Sequence, residues 1–404
     1  MLKLAVVREG KVPPDARAPL SPKQCKQILD TFDVELVVQP SEGRCFKDSD
    51  YEALGVPLQE DLSDCDILLG VKEVPIHSLI PNKTYLFFSH TIKKQAYNRP
   101  LLQAFIDKNI EMIDWEALTD DRGDRLIAFG FYAGLVGAHN GIWTYGKRTG
   151  KFDLPRMSDC FDYAEVKKAY AETKLPPMKI VVTGSGRVAA GAIHNLHDMD
   201  IHQVAPVDFL TKNYDRPVFT QLFSQDYVQK KSGRAIFDKQ HFYAHGDEYI
   251  STFKPYTRVA DIFINAIFYD KKAPVFFDRT DMLSPDFNMS VIADVTCDIM
   301  PDASVPTTLR PSTIADPVYG YDPATDEETA AHLNGSMDVM AIDNLPSELP
   351  RDATQFFGTQ LIDNILPELM RKNESEMIRR AMVTQNGQLT EPFAYLSDFL
   401  AGKE

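Results

Sequence analysis

Short apolar runs alternate with helical patterns through the first 116 residues. Five runs are typical of buried strands because they are brief and rich in branched or aromatic residues: "LKLAVV", "VELVVQ", "CDILLGV", "TYLFFS" and "IEMID". Between the first two lies "SPKQCKQILDTF", where Ser21 can cap a helix, Pro22 suits its first position and Gln24 completes a capping box. The alternation predicts a doubly wound α/β domain.

A second strand-rich block follows a charged stretch from Lys147 to Lys174. It opens with "KIVVTGSGRVAAGAI" and continues through "HQVAPVD", "ADIFINAIF", "MSVIADV" and "VMAIDNLP", before helical sequence closes the chain after Ser347. We therefore expect two Rossmann-like, doubly wound α/β domains. The first comprises residues 1–140 with the returning tail, about 347–404, and the second comprises residues 141–346.

The most apolar stretch is "RLIAFGFYAGLVGAHNGIW", residues 125–143. A bilayer span needs about 20 apolar residues, and this stretch carries His139 and Asn140, so we interpret it as a helix of a globular protein. Its four glycines fall three or four residues apart and would form one bare stripe, along which another backbone can approach closely. The spacing also occurs in pairs of membrane helices, but the chain offers no second candidate span.

Composition narrows the class of protein. The chain has 404 residues, of which 44% are hydrophobic, and its net charge of −15 disfavours nucleic acid and anionic membranes as partners. Five scattered cysteines show neither zinc-ligand spacing nor a disulfide pattern, and "HFYAH" lacks the glutamate of a zinc-protease helix, so we predict no metal site. The N-terminal residues do not resemble a signal or transit peptide, and we expect a cytoplasmic protein.

A glycine-rich loop directly follows the first strand of the second block. Gly184, Gly186 and Gly191 stand between that strand and a helical pattern, which is the setting of a dinucleotide-binding fingerprint. Such a loop needs a tight turn, bare backbone near the pyrophosphate and the free amides of a helix start. The third glycine comes two residues later than usual. Asp208, expected at the end of the next strand, is predicted to bind the adenine ribose.

Several strands of the first block end on ionisable residues. These are Lys72 and Glu73, then His90, then Glu116, while Arg17 follows the first strand. The carboxyl ends of parallel strands share one edge of a sheet, so we expect these side chains to converge in a crevice. A lysine crowded by cations or by apolar walls loses its proton more easily, and neighbouring glutamates oppose that effect. The mixture is suited to proton transfer.

These residues and motifs resemble the lysine-forming saccharopine dehydrogenases and the related lysine–2-oxoglutarate reductase domains of aminoadipic semialdehyde synthases. The motifs match in order over nearly the whole chain: "DARAPLSP", "GVKEVP", "FFSHTIK", "DDRGDRLIAFGFYAG", "TGSGRVAAGA", "DIFINAI" and "AIDNLPSELPRDATQFFG". The resemblance places the chain in the alanine dehydrogenase/transhydrogenase-like superfamily. It implies an active site between a catalytic first domain and an NAD-binding second domain, and makes residues 125–143 a helix that packs between the two.

The resemblance also implies roles for particular residues. Lys72 and His90 would form the acid–base pair, and Glu73 and Glu116 would tune its charge. Substrate carboxylates would be held by three cations: Arg17, Lys93 and Arg125. The pyrophosphate would lie against Gly184, Gly186 and Arg187, with Asp343 on the cofactor side of the cleft.

The implied reaction is the oxidation of saccharopine by NAD⁺, followed by hydrolysis of the imine to L-lysine and 2-oxoglutarate; the reverse reaction forms saccharopine. These small molecules are the expected partners. NAD is the expected cofactor because Asp208 would repel a 2′-phosphate, although Lys212 and Arg216 are near enough in sequence to tolerate NADP.

The second half of the chain departs from the compact fungal dehydrogenases. It carries an insertion over residues 209–259, and both this segment and "RRAMVTQNGQLTEPFAYL" are similar to the reductase domains. Three alternatives therefore stay open: a reductase that forms saccharopine with NADPH, a dehydrogenase of another amino acid or opine-like secondary amine, and a nucleotide-binding regulator without catalysis.

Overall fold

The computed structural model describes residues 1–12, 15–233, 236–371 and 374–403. They form two compact units, one of Met1–Phe129 with Pro350–Glu404 and the other of Gly130–Leu349. We call these unit 1 and unit 2. Each is built around a mainly parallel sheet, so the predicted fold class, two Rossmann-like α/β domains, is confirmed.

The strands are numbered in chain order: β1 (Leu2–Val6), β2 (Val34–Val38), β3 (Ile67–Leu69), β4 (Thr84–Phe87), β5 (Glu111–Asp114), β6 (Lys179–Thr183), β7 (His202–Gln203), β8 (Val218–Leu222), β9 (Val228–Lys230), β10 (Tyr249–Ser251), β11 (Ile262–Asn265), β12 (Val291–Asp294), β13 (Tyr319–Asp322), β14 (Glu327–Thr329), β15 (Met337–Met340), β16 (Met382–Gln385) and β17 (Gln388–Leu389).

The α-helices are numbered in the same way: α1 (Pro22–Thr31), α2 (Asp48–Glu52), α3 (Arg99–Asp107), α4 (Gly130–Thr149), α5 (Tyr163–Glu172), α6 (Arg187–Asp198), α7 (Pro206–Thr211), α8 (Ser224–Tyr227), α9 (Lys239–Ala244), α10 (Lys254–Thr257), α11 (Arg279–Met282), α12 (Pro350–Gln360), α13 (Leu366–Met370), α14 (Glu376–Ala381) and α15 (Ser397–Leu400). Short 3₁₀ turns and one π-helical segment, Leu361–Ile365, join some of them.

Unit 1 contains a seven-stranded sheet in the order β17-β16-β5-β4-β3-β1-β2. Strands β1 to β5 are parallel, and β16 of the C-terminal segment adds to β5 in the antiparallel direction. The chain runs from β1 to β2 on one side and then returns to β3 on the other, so the strand order reverses between β1 and β3. Ligands of open α/β sheets bind at such a switch point, beyond the carboxyl ends of the strands.

The sequence pattern explains these elements locally. Strands β3 and β4 are buried along their whole length, as expected for parallel strands covered on both faces. Helix α1 begins with the predicted capping box. The Ser21 hydroxyl accepts a hydrogen bond from the Gln24 backbone N–H, and the Gln24 side-chain oxygen accepts one from the Ser21 backbone N–H. Pro22 occupies the first turn. That prediction is confirmed.

Unit 2 contains an eight-stranded sheet in the order β14-β13-β15-β12-β11-β6-β8-β7, with β9 and β10 as a separate antiparallel pair. The six strands from β15 to β7 are parallel. The order reverses between β6 and β11. Alternate residues of the parallel strands pack on opposite faces: Ile180 and Val182 face helices α4, α5 and α6, whereas Val181 lies in an aromatic core with residues of the predicted insertion.

The glycines of the apolar stretch lie on α4. A Cβ on Gly134 would approach the Val188 carbonyl oxygen to 1.7 Å, and one on Gly191 of α6 would approach the Phe131 oxygen to 1.8 Å, so the two helix backbones are in contact. Gly137 and Gly141 face side chains at and just after the end of β12 in the same way. The predicted close approach of another backbone is confirmed. The expected packing between the two domains is wrong for these glycines, because α4 and the atoms closest to the glycines both belong to unit 2.

Among the described residues, the structure shows no helix that is both long and apolar enough to cross a bilayer. Helix α4 has 20 residues, but its sequence is too polar for that.

Candidate functional site

The predicted ionisable residues of unit 1 lie at the carboxyl ends of the parallel strands and after them. The loop after β1 carries Glu9, Lys11, Asp15 and Arg17; Lys72 and Glu73 follow β3, His90 and Lys93 follow β4, and Glu116 follows β5. Several of these side chains are joined by hydrogen bonds and ion pairs. We call this set the strand-end cluster.

The Glu73 carboxylate contacts both His90 and Lys11. Its Oε1 is 2.6 Å from His90 Nδ1, and its Oε2 is 3.0 Å from Lys11 Nζ. Burial alone would raise the pKa of Glu73, but the hydrogen bond and charge of His90, with help from Lys11, outweigh burial and hold the pKa at about 2. Glu73 is therefore a carboxylate at neutral pH. His90 Nδ1 must carry the hydrogen of that bond, which leaves Nε2 with its lone pair in the neutral ring.

His90 is held in an unusual position. Its backbone has φ of 54°, in the left-handed region that costs energy for a residue with a Cβ. The ring stacks on that of Phe88, with centroids 6.5 Å apart. Together with the Glu73 bond, these contacts fix the direction of Nε2 at the end of β4.

Lys72 is half-buried and has a perturbed charge. Burial lowers the pKa of its ammonium group, and so does the nearby charge of Arg17, while Asp15 and Glu73 raise it in part. Its ammonium group makes no hydrogen bond to another side chain or carbonyl in the described part of the chain. Lys72 can therefore exchange a proton with a ligand without first breaking an ion pair.

A half-buried glutamate to which the sequence did not point supports the Lys72 backbone. Glu9 accepts hydrogen bonds from the backbone N–H groups of Val71 and Lys72, at 2.7 and 2.8 Å. Burial raises its pKa to about 7 despite these bonds. The only available signal was its place two residues after the expected end of a strand, where a charged residue is ordinary.

Arg17 has a carboxylate partner of its own. Its Nε and Nη2 lie 3.0 and 2.6 Å from the two oxygens of Asp15, and both side chains are almost fully buried. The guanidinium also lies 4.3 Å from the ring centroid of Phe129. Arg17 thus contributes a fixed positive charge beside Lys72, and its predicted contact with a substrate carboxylate stays a prediction.

Two predicted substrate cations share one carboxylate. Lys93 Nζ and Arg125 Nη1 lie 3.2 and 3.5 Å from Glu116 Oε1. Glu116 is itself positioned by its backbone N–H, which donates to the buried Asp114. Lys93 and Arg125 are 47% and 43% exposed, so each retains donors that face solvent. Two cations on one carboxylate leave net positive charge for an anionic ligand.

The glycine loop of unit 2 lies where the sequence predicts it, between β6 and α6. Gly184 has φ of 111°, and a Cβ there would meet the Ala266 carbonyl oxygen at 2.4 Å, so this position requires glycine. A Cβ on Gly186, which caps α6, would meet nothing within 4 Å. Open space therefore lies beside the first amides of a 12-residue helix, a setting that suits a pyrophosphate.

A cavity of about 670 Å³ opens in front of this loop. Gly184, Gly186 and Arg187 line it, together with residues that follow β8 and β11. The cavity is large enough for a substantial part of a dinucleotide. The predicted cofactor residues of the loop are therefore brought together on one wall of a ligand-sized space.

Two predicted cofactor residues lie elsewhere. The expectation that Asp208 lies at the end of the next strand along the chain is wrong. Asp208 is in α7, its Oδ2 is 3.0 Å from Lys212 Nζ, and it does not line the cavity. Strand β6 lies between β11 and β8, whereas β7, the short strand that precedes Asp208, lies at the edge of the sheet beyond β8. Asp343 is exposed after β15 and also does not line the cavity. Its charge helps to raise the pKa of Cys297, after burial and Asp294, to about 12.

Comparison with known proteins agrees with this architecture. Residues 5–136 match the family model of the alanine dehydrogenase/PNT N-terminal domain. The chain is 30% identical to the mitochondrial alpha-aminoadipic semialdehyde synthase of Bos taurus over 99% of its own length and 48% of that protein. It is 27% identical to the saccharopine dehydrogenase (NAD⁺, L-lysine-forming) of Emericella nidulans, over 91% of this chain and 92% of that protein.

The chain is thus similar both to alpha-aminoadipic semialdehyde synthases and to L-lysine-forming saccharopine dehydrogenases. It spans less than half the length of the aminoadipic semialdehyde synthases that it matches. Among solved structures, an L-alanine dehydrogenase has a TM-score of 0.67 at 16% identity, with each chain fully covered. A transhydrogenase from Sinorhizobium meliloti has a TM-score of 0.58 at 14% identity, over 96% of this chain and all of that one. These two likenesses concern the fold.

Proposed function

We propose that this protein is an NAD-dependent oxidoreductase of saccharopine, which it converts reversibly to L-lysine and 2-oxoglutarate. The observation that carries the proposal is the strand-end cluster: a half-buried lysine with a lowered pKa beside a glutamate that fixes a histidine. The names of the similar proteins supply the substrate. Unit 1 provides the acid–base and substrate groups, and unit 2 provides the dinucleotide cavity.

The substrate's charge fits the cations of unit 1. Saccharopine carries three carboxylates, and Lys93 and Arg125 share a single glutamate, so they retain donors for anionic groups. Arg17 adds a buried positive charge that its stacking on Phe129 holds in place. These cations orient the secondary amine and the glutamate-derived α-carbon of the substrate relative to Lys72.

Lys72 and His90 move the protons. Gly184, Gly186 and Arg187 would hold NAD⁺, which would supply the hydride acceptor for oxidation of the amine at the α-carbon. Lys72, in its amine form, takes the N–H proton as the imine forms. His90 Nε2 takes a proton from the water that attacks the imine carbon, while Lys72 returns its proton to the imine nitrogen, which gives the neutral carbinolamine. His90 then gives its proton to the nitrogen as the carbon–nitrogen bond breaks, and Lys72 takes the hydroxyl proton as the ketone forms. Lysine and 2-oxoglutarate then leave, with one net proton released.

The perturbed pKa of Lys72 suits both of its tasks. A lysine with the usual pKa would be protonated at neutral pH and could not accept the first proton, whereas burial and Arg17 favour the amine form. Glu73 and Asp15 limit this effect and keep the amine basic enough to hold the proton until it is returned. The balance of the two influences matches a group that acts as base and then as acid.

An assay with purified protein tests the proposal. We expect saccharopine and NAD⁺ to give NADH absorbance and lysine in equal amounts, and lysine with 2-oxoglutarate to consume NADH. Octopine, an opine with a secondary amine, serves as the alternative substrate. Turnover of octopine but not saccharopine would refute the substrate, and binding of NADH without turnover of either would favour a nucleotide-binding regulator. If lysine and 2-oxoglutarate led to consumption of NADPH but not of NADH, the protein would instead be a reductase that forms saccharopine with NADPH.

A further inference from the structure

A buried aspartate links the ends of two neighbouring strands in unit 1. Asp114 is the last residue of β5, it is fully buried, and it lies opposite Phe87 at the end of β4. Its two oxygens accept three hydrogen bonds, which form two arms. Oδ2 accepts from Ser89, and Oδ1 accepts from the backbone N–H of Glu116. One carboxylate therefore joins the residue before His90 to a member of the strand-end cluster.

The Ser89 arm holds the backbone on both sides of His90. Ser89 donates to Asp114 Oδ2 through its hydroxyl, at 2.5 Å, and through its backbone N–H, at 3.1 Å. Because that bond uses the hydroxyl hydrogen, the Thr91 hydroxyl, 2.7 Å away, must donate to the Ser89 oxygen. The Thr91 backbone N–H donates to the same oxygen at 3.2 Å. His90 thus stands between two residues that are tied to each other and to Asp114.

This arm explains how His90 keeps a strained backbone. A residue with a Cβ adopts the left-handed region only where its surroundings impose it, and His90 has φ of 54°. Asp114, Ser89 and Thr91 are all fully buried, so water does not compete for their hydrogen bonds. Glu73 fixes the ring of His90 at Nδ1, and the Asp114 arm fixes the backbone from which the ring projects.

The Glu116 arm holds the partner of two substrate cations. The Glu116 backbone N–H lies 2.8 Å from Asp114 Oδ1, and this bond begins the short 3₁₀ turn Trp115–Ala117. The Glu116 side chain in turn contacts Lys93 and Arg125. A displacement of Glu116 would therefore move the cations that bind the substrate carboxylates.

We propose that Asp114 is a positioning residue for the reaction, which places His90 through Ser89 and places Glu116 through its backbone. The inference rests on the proposed function of the strand-end cluster and adds a residue that does not touch the substrate. Asp114 is suited to the task because both of its oxygens are engaged and none of its surface meets solvent. It couples proton transfer to the binding of the substrate carboxylates.

The variant Ser89→Ala separates the two arms. It removes the hydroxyl that joins Asp114 to Thr91 and leaves the bond to Glu116 in place. We expect turnover of saccharopine with NAD⁺ to fall about tenfold or more, because His90 leaves its position, while the KM changes by less than about twofold. In a His90→Gln background, the same change should lower turnover by less than about twofold, since Ser89 acts through His90.

Two more variants complete the kinetic test. Asp114→Ala removes both arms, so it should lower turnover at least as much as Ser89→Ala and also raise the KM for saccharopine about threefold or more. Ser375→Ala is the matched control. It breaks a bond between a buried serine and a carboxylate, that of Glu368 at 2.6 Å, within the same unit, and should leave both kinetic constants unchanged.

A second measurement does not depend on turnover. Nitrogen NMR of the full chain, labelled in its nine histidines, reports which ring nitrogen carries the hydrogen, and His90→Gln identifies the His90 signal. We expect the neutral ring of His90 to be in the Nδ1–H form in the unaltered protein and in Ser375→Ala, because Glu73 accepts that hydrogen. Ser89→Ala should show a mixture of the Nδ1–H and Nε2–H forms.

Each outcome bears on the assignment. Normal turnover in Ser89→Ala, a His90 ring that stays wholly in the Nδ1–H form there, or an equal loss of turnover in Ser375→Ala would overturn the role of Asp114. Losses that multiply in the double variant with His90→Gln would overturn the action through His90, and an unchanged KM in a folded Asp114→Ala would overturn the Glu116 arm. If the unaltered protein did not turn over saccharopine, the proposed function would fail, and the His90 tautomer would still decide whether Asp114 positions that ring.

Discussion

Replacing Glu73 with Gln gives a direct test of the electrostatics of the strand-end cluster. The pKa of Glu73 falls from an ordinary 4.5 to about 2 in the folded protein, and each pKa unit corresponds to about 1.4 kcal/mol. The folded state therefore favours the carboxylate by about 3 kcal/mol. The side chain is only 13% exposed, so solvent screens this energy little. Gln keeps the shape but loses the charge, and we expect unit 1 to lose about 2–3 kcal/mol of unfolding free energy at pH 7.

The pH dependence has a definite sign. A carboxyl group with a lowered pKa contributes its full stabilisation above its unfolded pKa, near 4.5, and loses it as pH falls toward 2. The difference between parent and Glu73→Gln should thus be constant from pH 7 to pH 5.5. At pH 3.5 it should shrink by about 1.4 kcal/mol, because the unfolded parent then binds a proton that the folded parent does not.

The two tryptophans make the assay specific to unit 1. Trp115 is buried in unit 1, and the other, Trp143, lies on α4 of unit 2, so Trp143→Phe leaves a single fluorescent reporter. Urea unfolding in that background is compared for the parent, Glu73→Gln and a control, Glu52→Gln, at an exposed helical position. An unchanged midpoint in Glu73→Gln at pH 7, or a difference that stays constant down to pH 3.5, would refute the reasoning.

Two further predictions concern the substrate cations and the packing of unit 2. Arg125→Lys should raise the KM for saccharopine about tenfold while NADH affinity stays unchanged, since lysine cannot reproduce the planar fork of a guanidinium; equal losses in both would indicate a structural arginine. Gly134→Ala should destabilise unit 2 by about 2 kcal/mol or more, because the new methyl group overlaps the Val188 carbonyl. Gly43→Ala, where a Cβ meets nothing within 4 Å, is the control, and equal unfolding midpoints would contradict the α4–α6 contact.

Patterns that depend on neighbouring residues could be predicted from the sequence. The capping box of α1 involves Ser21 and Gln24 only, and the glycine turn at Gly184 follows from one strand and one helix start. The strand-end cluster was also predictable, because parallel strands of one sheet present their carboxyl ends at the same edge. The pairing of side chains within the cluster could not be predicted. Nothing in the sequence indicates that Glu73 pairs with His90, or that Glu116 pairs with Lys93 and Arg125.

Predictions failed where the outcome depends on which strands become neighbours. Asp208 follows a strand in sequence, but that strand is at the edge of the sheet and β8 takes the place beside β6. Ser224, rather than an acid, therefore enters the cavity. The glycine stripe of α4 was read correctly as a close contact, yet its partner is α6 of the same unit, which only the folded chain reveals. Glu9 was not predicted because its hydrogen bonds to the Val71 and Lys72 backbone, rather than its spacing in the sequence, distinguish it.

The central claim is that Lys72 and His90 act as one acid–base unit. It is tested most directly by the turnover of saccharopine with NAD⁺ in Lys72→Met, His90→Gln and the double variant, with NADH affinity measured by fluorescence in each. We expect Lys72→Met to lower turnover about 100-fold or more with NADH affinity unchanged, and the double variant to lose little beyond the worse single one. Near-normal turnover in a folded Lys72→Met, or losses that multiply in the double variant, would contradict the account.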